Sequence, residues 1–271
     1  MKVGLALSGG GILSLAHIGI IRELEKNQIK IDAIAGTSSG AIIAGLYADG
    51  GLPRVEAYLN DLDKAGLFKK RNFNLMLPGK VFKELRKCLE NNLKAKTFSA
   101  LPLDFQCAAT DISTGDLVML KKGNLVDAIM ASAAYLSVFS PQKIGGKHLV
   151  DGGITCNMPA GELRRSGIDF VIGSSLYSVS KINQLKTKKI SRIEIALRAI
   201  AIMQKELAAY EARECDFCFY PPVDIYRWYS FNKSTEIDKI GEKYSHYRMS
   251  KLKALIEEKQ KILEEDNTIS E

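Results

Sequence analysis

The segment Ile31-Asp-Ala-Ile-Ala-Gly36-Thr-Ser38-Ser-Gly40-Ala-Ile-Ile-Ala-Gly-Leu-Tyr47 decides the architecture. Residues 31–35 are an apolar run of strand length closed by Gly36, and the small and aliphatic residues of 38–47 suit a closely packed helix. The same strand, turn, helix order stands just upstream. Residues 3–7 are apolar, Ser8, Gly9, Gly10 and Gly11 break the run, and Leu15, Ile18, Ile21 and Leu24 follow at helical spacing. Two such units in succession predict an α/β protein with a mostly parallel sheet, whose sites form at the carboxyl ends of the strands.

Further strands are expected at 105–109, 117–120, 148–150, 170–174 and 217–220, with helices over 125–134, 190–210 and 237–263. Residues 53–98 differ: they are amphipathic, helical in pattern, interrupted at Leu77-Pro78-Gly79, and read as a helical cap inserted into the fold. No repeat or low-complexity linker divides the chain, so residues 1–265 are expected to form one domain and 266–271 a frayed tail.

The 271 residues are 46% hydrophobic and 25% charged, which excludes a disordered or collagen-like chain. The formal charge is +7, and residues 66–100 alone carry nine basic against two acidic side chains. That stretch interleaves Lys69, Lys70 and Arg71 with Phe68, Phe73, Leu75, Met76 and Leu77, a pattern suited to an anionic membrane surface. Residues 68–96 are therefore expected to make peripheral membrane contact. No nucleic-acid recognition motif accompanies the charge, and none is expected as a partner.

Five scattered cysteines fit a reducing compartment, and the pair Cys215 and Cys218 lacks the further ligands of a zinc site. Residues 3–21 carry no formal charge, but the glycines divide them into pieces shorter than the roughly 18 to 20 apolar residues of a membrane span. The expected location is cytoplasmic, at most peripheral to the inner face of the membrane.

Gly36-Thr37-Ser38-Ser39-Gly40 fits G-x-S-x-G between strand and helix, the setting of a nucleophile elbow, and the frame selects Ser38. The flanking glycines Gly36 and Gly40 would relieve crowding at so sharp a turn; the same residues could also merely cap a helix. Gly9-Gly10-Gly11 can turn several backbone N–H groups toward a ligand oxygen. A dinucleotide fingerprint fails because Ser14 stands at its third glycine, and a Walker loop fails for want of Gly-Lys-Ser/Thr, leaving an oxyanion hole or a plain turn. Asp151-Gly152-Gly153 follows another strand. An aspartate beside two glycines can approach a serine closely enough to act as its base, or can serve only as a turn residue. Of the three histidines, His17 lies among apolar residues, His148 has no convincing setting, and His246 alone keeps the order Ser, Asp, His.

Taken together, the chain resembles the patatin-like phospholipase family. The matching elements are Gly9-Gly10-Gly11-Ile12 leading to Ala16-His17-Ile18-Gly19, the serine motif at 36–40, and Asp151-Gly152-Gly153 continuing to Asn157-Met158-Pro159. Ala109-Thr110-Asp111, Ala131-Ser132-Ala133 and Tyr220-Pro221-Pro222 with Gly241 and Tyr244 support them. The resemblance implies a three-layer α/β/α fold and hydrolysis of a lipid ester by a Ser38–Asp151 dyad. It also implies an oxyanion hole from the N–H groups of Gly9, Gly10 and Gly11, with no histidine, metal or other cofactor. The chain departs from the family at Leu13 and Ser14, where a cation and a glycine are usual, and at Leu136, where proline is frequent. Two other readings follow from the residues: a non-catalytic lipid- or nucleotide-binding protein on this fold, and an α/β-hydrolase with a triad completed by His246.

Overall fold

A computed structural model describes residues 1–67, 78–136, 139–177, 192–227 and 229–269. Eight strands form one sheet: β1 (Val3–Leu7), β2 (Ala33–Thr37), β3 (Asp104–Asp111), β4 (Leu117–Leu120), β5 (Gln142–Ile144), β6 (Lys147–Asp151), β7 (Phe170–Ser174) and β8 (Phe217–Phe219). Their order is β5-β6-β3-β2-β1-β7-β8, with β4 also on β3. The pairs β1–β2, β1–β7, β2–β3 and β7–β8 are parallel, whereas β3–β4, β3–β6 and β5–β6 are antiparallel.

Every residue of β1 is buried, as for a central strand covered on both faces. Its alternation still sorts side chains by size. Val3, Leu5 and Leu7 join the larger core, while Ala6 joins Ala33, Ala35 and Val171 in a smaller one. The large-residue face is covered by α1 (Leu15–Lys26), α2 (Ser39–Lys64), α3 (Pro78–Asn92), α4 (Leu125–Ser132), α7 (Ser234–His246) and α8 (Met249–Ile269). The small-residue face admits the short α5 (Ala160–Arg165), whose Leu163 packs into the second core. The expected three-layer arrangement of helices on both sides of a mostly parallel sheet is therefore present.

Helices α1 and α7 meet almost backbone to backbone. A Cβ on Gly241 would lie 2.1 Å from the Ala16 carbonyl oxygen, and one on Gly19 would lie 2.4 Å from that of Asp238. No larger residue fits this crossing.

The described part of the expected cap is built into the main core. Helix α2 runs past Tyr47 through a kink at Gly50 and Gly51, and its Val55, Tyr58 and Leu62 pack with Val81 and Leu89 of α3. Residues 68–77, with Lys69, Lys70, Arg71 and the interleaved apolar side chains, lie outside the described residues. The last expected helix divides into α7 and α8 and extends to Ile269, past the boundary placed at 265. No helix among the described residues is long and apolar enough to cross a membrane.

Candidate active site

Strand β2 ends at Thr37, and the chain reverses through Ser38 into α2. Ser38 adopts φ 56° and ψ −126°, a left-handed backbone for a residue with a side chain, strained by about 1 to 3 kcal/mol. The flanking glycines permit the turn. A Cβ on Gly36 would stand 2.6 Å from the Gly40 carbonyl, and one on Gly40 would stand 2.5 Å from the Ser8 oxygen. Two hydrogen bonds fasten the elbow: Ser38 N–H donates to Ser132 Oγ at 3.0 Å, and Thr37 Oγ1 donates to the Cys156 carbonyl at 2.9 Å.

Asp151 ends β6, with its carboxylate turned toward the elbow. Ser38 Oγ donates to Oδ2 at 2.6 Å, and Gly153 N–H donates to Oδ1 at 2.8 Å. The backbone is held too, since Asp151 N–H donates to the Ala134 carbonyl and Thr110 Oγ1 to the Asp151 carbonyl. Burial destabilises the charged form and raises the pKa from 3.8 to about 6, against the two donors that favour ionisation. The ionised group is therefore both close enough and basic enough to take the Ser38 proton near neutral pH.

The glycine loop follows β1 and rests on His17. The Ser8 carbonyl can only accept, so His17 Nε2 carries the proton and donates to it at 2.9 Å; Nδ1 then accepts from Ser174 Oγ at 2.7 Å. Full burial lowers the His17 pKa to about 4, which keeps the imidazole neutral and both bonds in place. The loop corrects one expectation. Gly9 N–H is already donated to the Asn157 carbonyl at 3.1 Å, so it has no hydrogen left for an oxyanion. Gly10 and Gly11 are partly exposed, and their N–H groups make no backbone hydrogen bond to another loop or strand among the described residues. Leu13 and Ser14 fall in the 3-10 turn Gly11–Ser14 and are buried. A cation at Leu13 would be desolvated within the core.

His246 sits elsewhere. Its Nδ1 lies 3.0 Å from Glu23 Oε2 at the α1–α7 contact, and its side chain is mostly exposed. The carboxylate of Asp151 meets Ser38 directly, without an imidazole between them.

Several further residues, most of them without a sequence signal, surround the dyad. Asn157 is buried, with an amide nitrogen that has no partner among the described residues. Helix α6 (Arg192–Glu211) closes this side of the site. A Cβ on Gly153 would be 2.6 Å from Gln204 Nε2 and 3.1 Å from Asp151 Oδ1, and Tyr177 Oη donates to Gln204 Oε1 at 3.3 Å. Glu211, at the end of α6, accepts from Asn157 N–H at 3.0 Å and Met158 N–H at 2.7 Å. Burial raises its pKa to about 7. Tyr135 and Tyr177 are also held above the usual phenol range, by burial first and then by neighbouring charges that include Asp151. Only Asn157 carried a sequence signal, through its place in the run that follows Asp151.

The patatin-like phospholipase family model matches residues 5–164, a span that includes the glycine loop, the elbow and Asp151. The chain belongs to the patatin-like phospholipase family. An uncharacterised NTE family protein of Mycobacterium tuberculosis is 30% identical over 176 residues, covering 65% of this patatin-like chain and 49% of the relative. Lysophospholipase NTE1 of Candida albicans is 25% identical over 271 residues, covering 90% of this chain and 20% of the relative. The chain thus spans about half of the first relative and a fifth of the second. Among solved structures, VipD from Legionella pneumophila superposes with a TM-score of 0.54 at 13% identity, over 92% of this chain and 67% of that one, a likeness of fold.

Proposed function

We propose that this patatin-like chain hydrolyses an ester bond of a lipid through Ser38 and Asp151. The observation that carries the reading is the 2.6 Å contact between Ser38 Oγ and Asp151 Oδ2 on a strained elbow. Membership of a phospholipase family and likeness to a lysophospholipase support the lipid substrate. Asp151 takes the Ser38 proton as Oγ attacks the ester carbonyl, and the tetrahedral oxyanion forms at Gly10 and Gly11. The alcohol leaves with the proton held by Asp151. Water, deprotonated in turn by Asp151, then releases the fatty acid and restores Ser38. The steps call for no metal or cofactor, and residues 1–265 act as one hydrolase unit.

The test is a substrate series of short-chain nitrophenyl esters, lysophospholipids, phospholipids and monoacylglycerols, run with wild type and Ser38→Ala. Hydrolysis of at least one lipid ester, abolished in Ser38→Ala of unchanged circular dichroism, is expected. No turnover of any ester by the folded wild type would favour the non-catalytic reading.

A further inference from the structure

Helix α6 presents two unlike faces. Gln204 and Ala208 are buried, and Glu211 grips the chain after Asp151, so one face closes the dyad. On the other, Ile195, Ile202, Met203 and Tyr210 are 54%, 42%, 67% and 64% exposed. With exposed Ala199 they fall within an arc of about 100° on an ideal helix, an apolar stripe that Glu206 alone interrupts within that arc. These four make up a large share of the exposed bulky hydrophobic residues described, and they share one element. Exposed apolar residues gathered in this way mark an interaction surface.

The sequence leading into this helix is strongly cationic. From 181 to 192 the chain carries Lys181, Lys186, Lys188, Lys189 and Arg192 and no acidic residue. An apolar stripe directly preceded by a run of cations suits a surface that is anionic outside and apolar beneath. We infer that the outer face of α6 docks on an anionic lipid bilayer, so that the helix closing the Ser38–Asp151 site on one side meets the lipid on the other. In its meaning for substrate access this rests on the hydrolase reading; as a binding claim it does not. The face is built from other residues than the basic stretch at 68–96.

The experiment measures sedimentation with vesicles of phosphatidylcholine alone and of phosphatidylcholine with phosphatidylglycerol. It uses Ser38→Ala protein, which leaves the lipid intact whether or not the wild type is an enzyme. Binding to the anionic vesicles, weakened by salt, is expected, together with a loss of at least tenfold in Ile202→Glu/Met203→Glu. These side chains are already exposed, and a milder pair at the ends of the stripe, Ile195→Ser/Tyr210→Ser, should weaken binding in the same direction. In the Ser38-intact protein, both pairs should leave turnover of a water-soluble short ester unchanged.

Wild-type affinity in both pairs would overturn the inference. So would binding lost in Lys69→Gln/Lys70→Gln/Arg71→Gln but kept in the α6 pairs. Self-association of the wild type that the α6 pairs abolish without changing vesicle binding would instead assign the face to a second copy of the chain.

Discussion

At Asp151, proximity to Ser38 and burial act in opposite directions on stability and chemistry. An ordinary aspartate loses its proton near 3.8, and the folded site holds it until about 6. Between these values the unfolded chain has released a proton that the folded chain keeps, so folding loses stability as pH rises. Above about 6 the loss is complete, at about 3 kcal/mol. Asp151→Asn should therefore unfold at higher denaturant concentration than wild type at about pH 8, with the difference vanishing by about pH 3.5, below the unfolded pKa. The same substitution should reduce hydrolysis by roughly 10²-fold or more, because it removes the proposed general base. Wild-type kcat/KM should climb through about pH 6 as the carboxylate ionises. An activity that is flat from about pH 5 to 8 would detach Asp151 from the rate.

At the scale of elements, Glu211 ties α6 to the turn that carries Asn157 and Met158. Glu211→Ala leaves two buried N–H groups without an acceptor, and should lower stability by about 1 to 3 kcal/mol for each, read from chemical denaturation. Glu211→Gln keeps one acceptor oxygen and should fall between the two. Gly40→Ala is expected to destabilise the elbow and the end of β1 together, because its methyl group would enter the Ser8 carbonyl; unchanged melting would mean that the elbow relaxes freely. Which elements could be read from the sequence follows from how each is stabilised. Strands β1 and β7 match their expected bounds because buried parallel strands are continuous apolar runs. Strand β5 has no signal in the sequence: its Gln142 and Lys143 are polar, and three residues at a sheet edge give no periodicity. Helix α2 runs on from the expected 38–47 segment into the region expected as a cap, because Gly50 and Gly51 kink it without ending it. The elbow and Asp151 were legible through their glycines. Gln204 and Tyr177 were not, since tertiary packing alone brings them to Asp151 from separate elements.

Over the whole molecule, the order β5-β6-β3-β2-β1-β7-β8 sets the glycine loop of β1 beside the elbow of β2 and delivers Asp151 from the antiparallel β6 to the same place. His246 belongs to the opposite concern, the helix layer, where it pairs with Glu23. His246→Ala should leave kcat/KM unchanged and reduce stability by no more than about 1 kcal/mol, because His246 is mostly exposed and the buried Glu23 carboxylate keeps its bond to Lys26. A fall of roughly 10³-fold in a folded variant would restore a triad. The central claim is that Ser38 is a nucleophile activated by Asp151. It is tested most directly by intact-mass and peptide mapping after reaction with a fluorophosphonate probe, which bonds covalently to an activated serine. One adduct on Ser38, absent in Ser38→Ala and formed at least tenfold more slowly in Asp151→Asn, is the predicted result; an adduct on another residue, or labelling of Ser38 at an undiminished rate in Asp151→Asn, would contradict it.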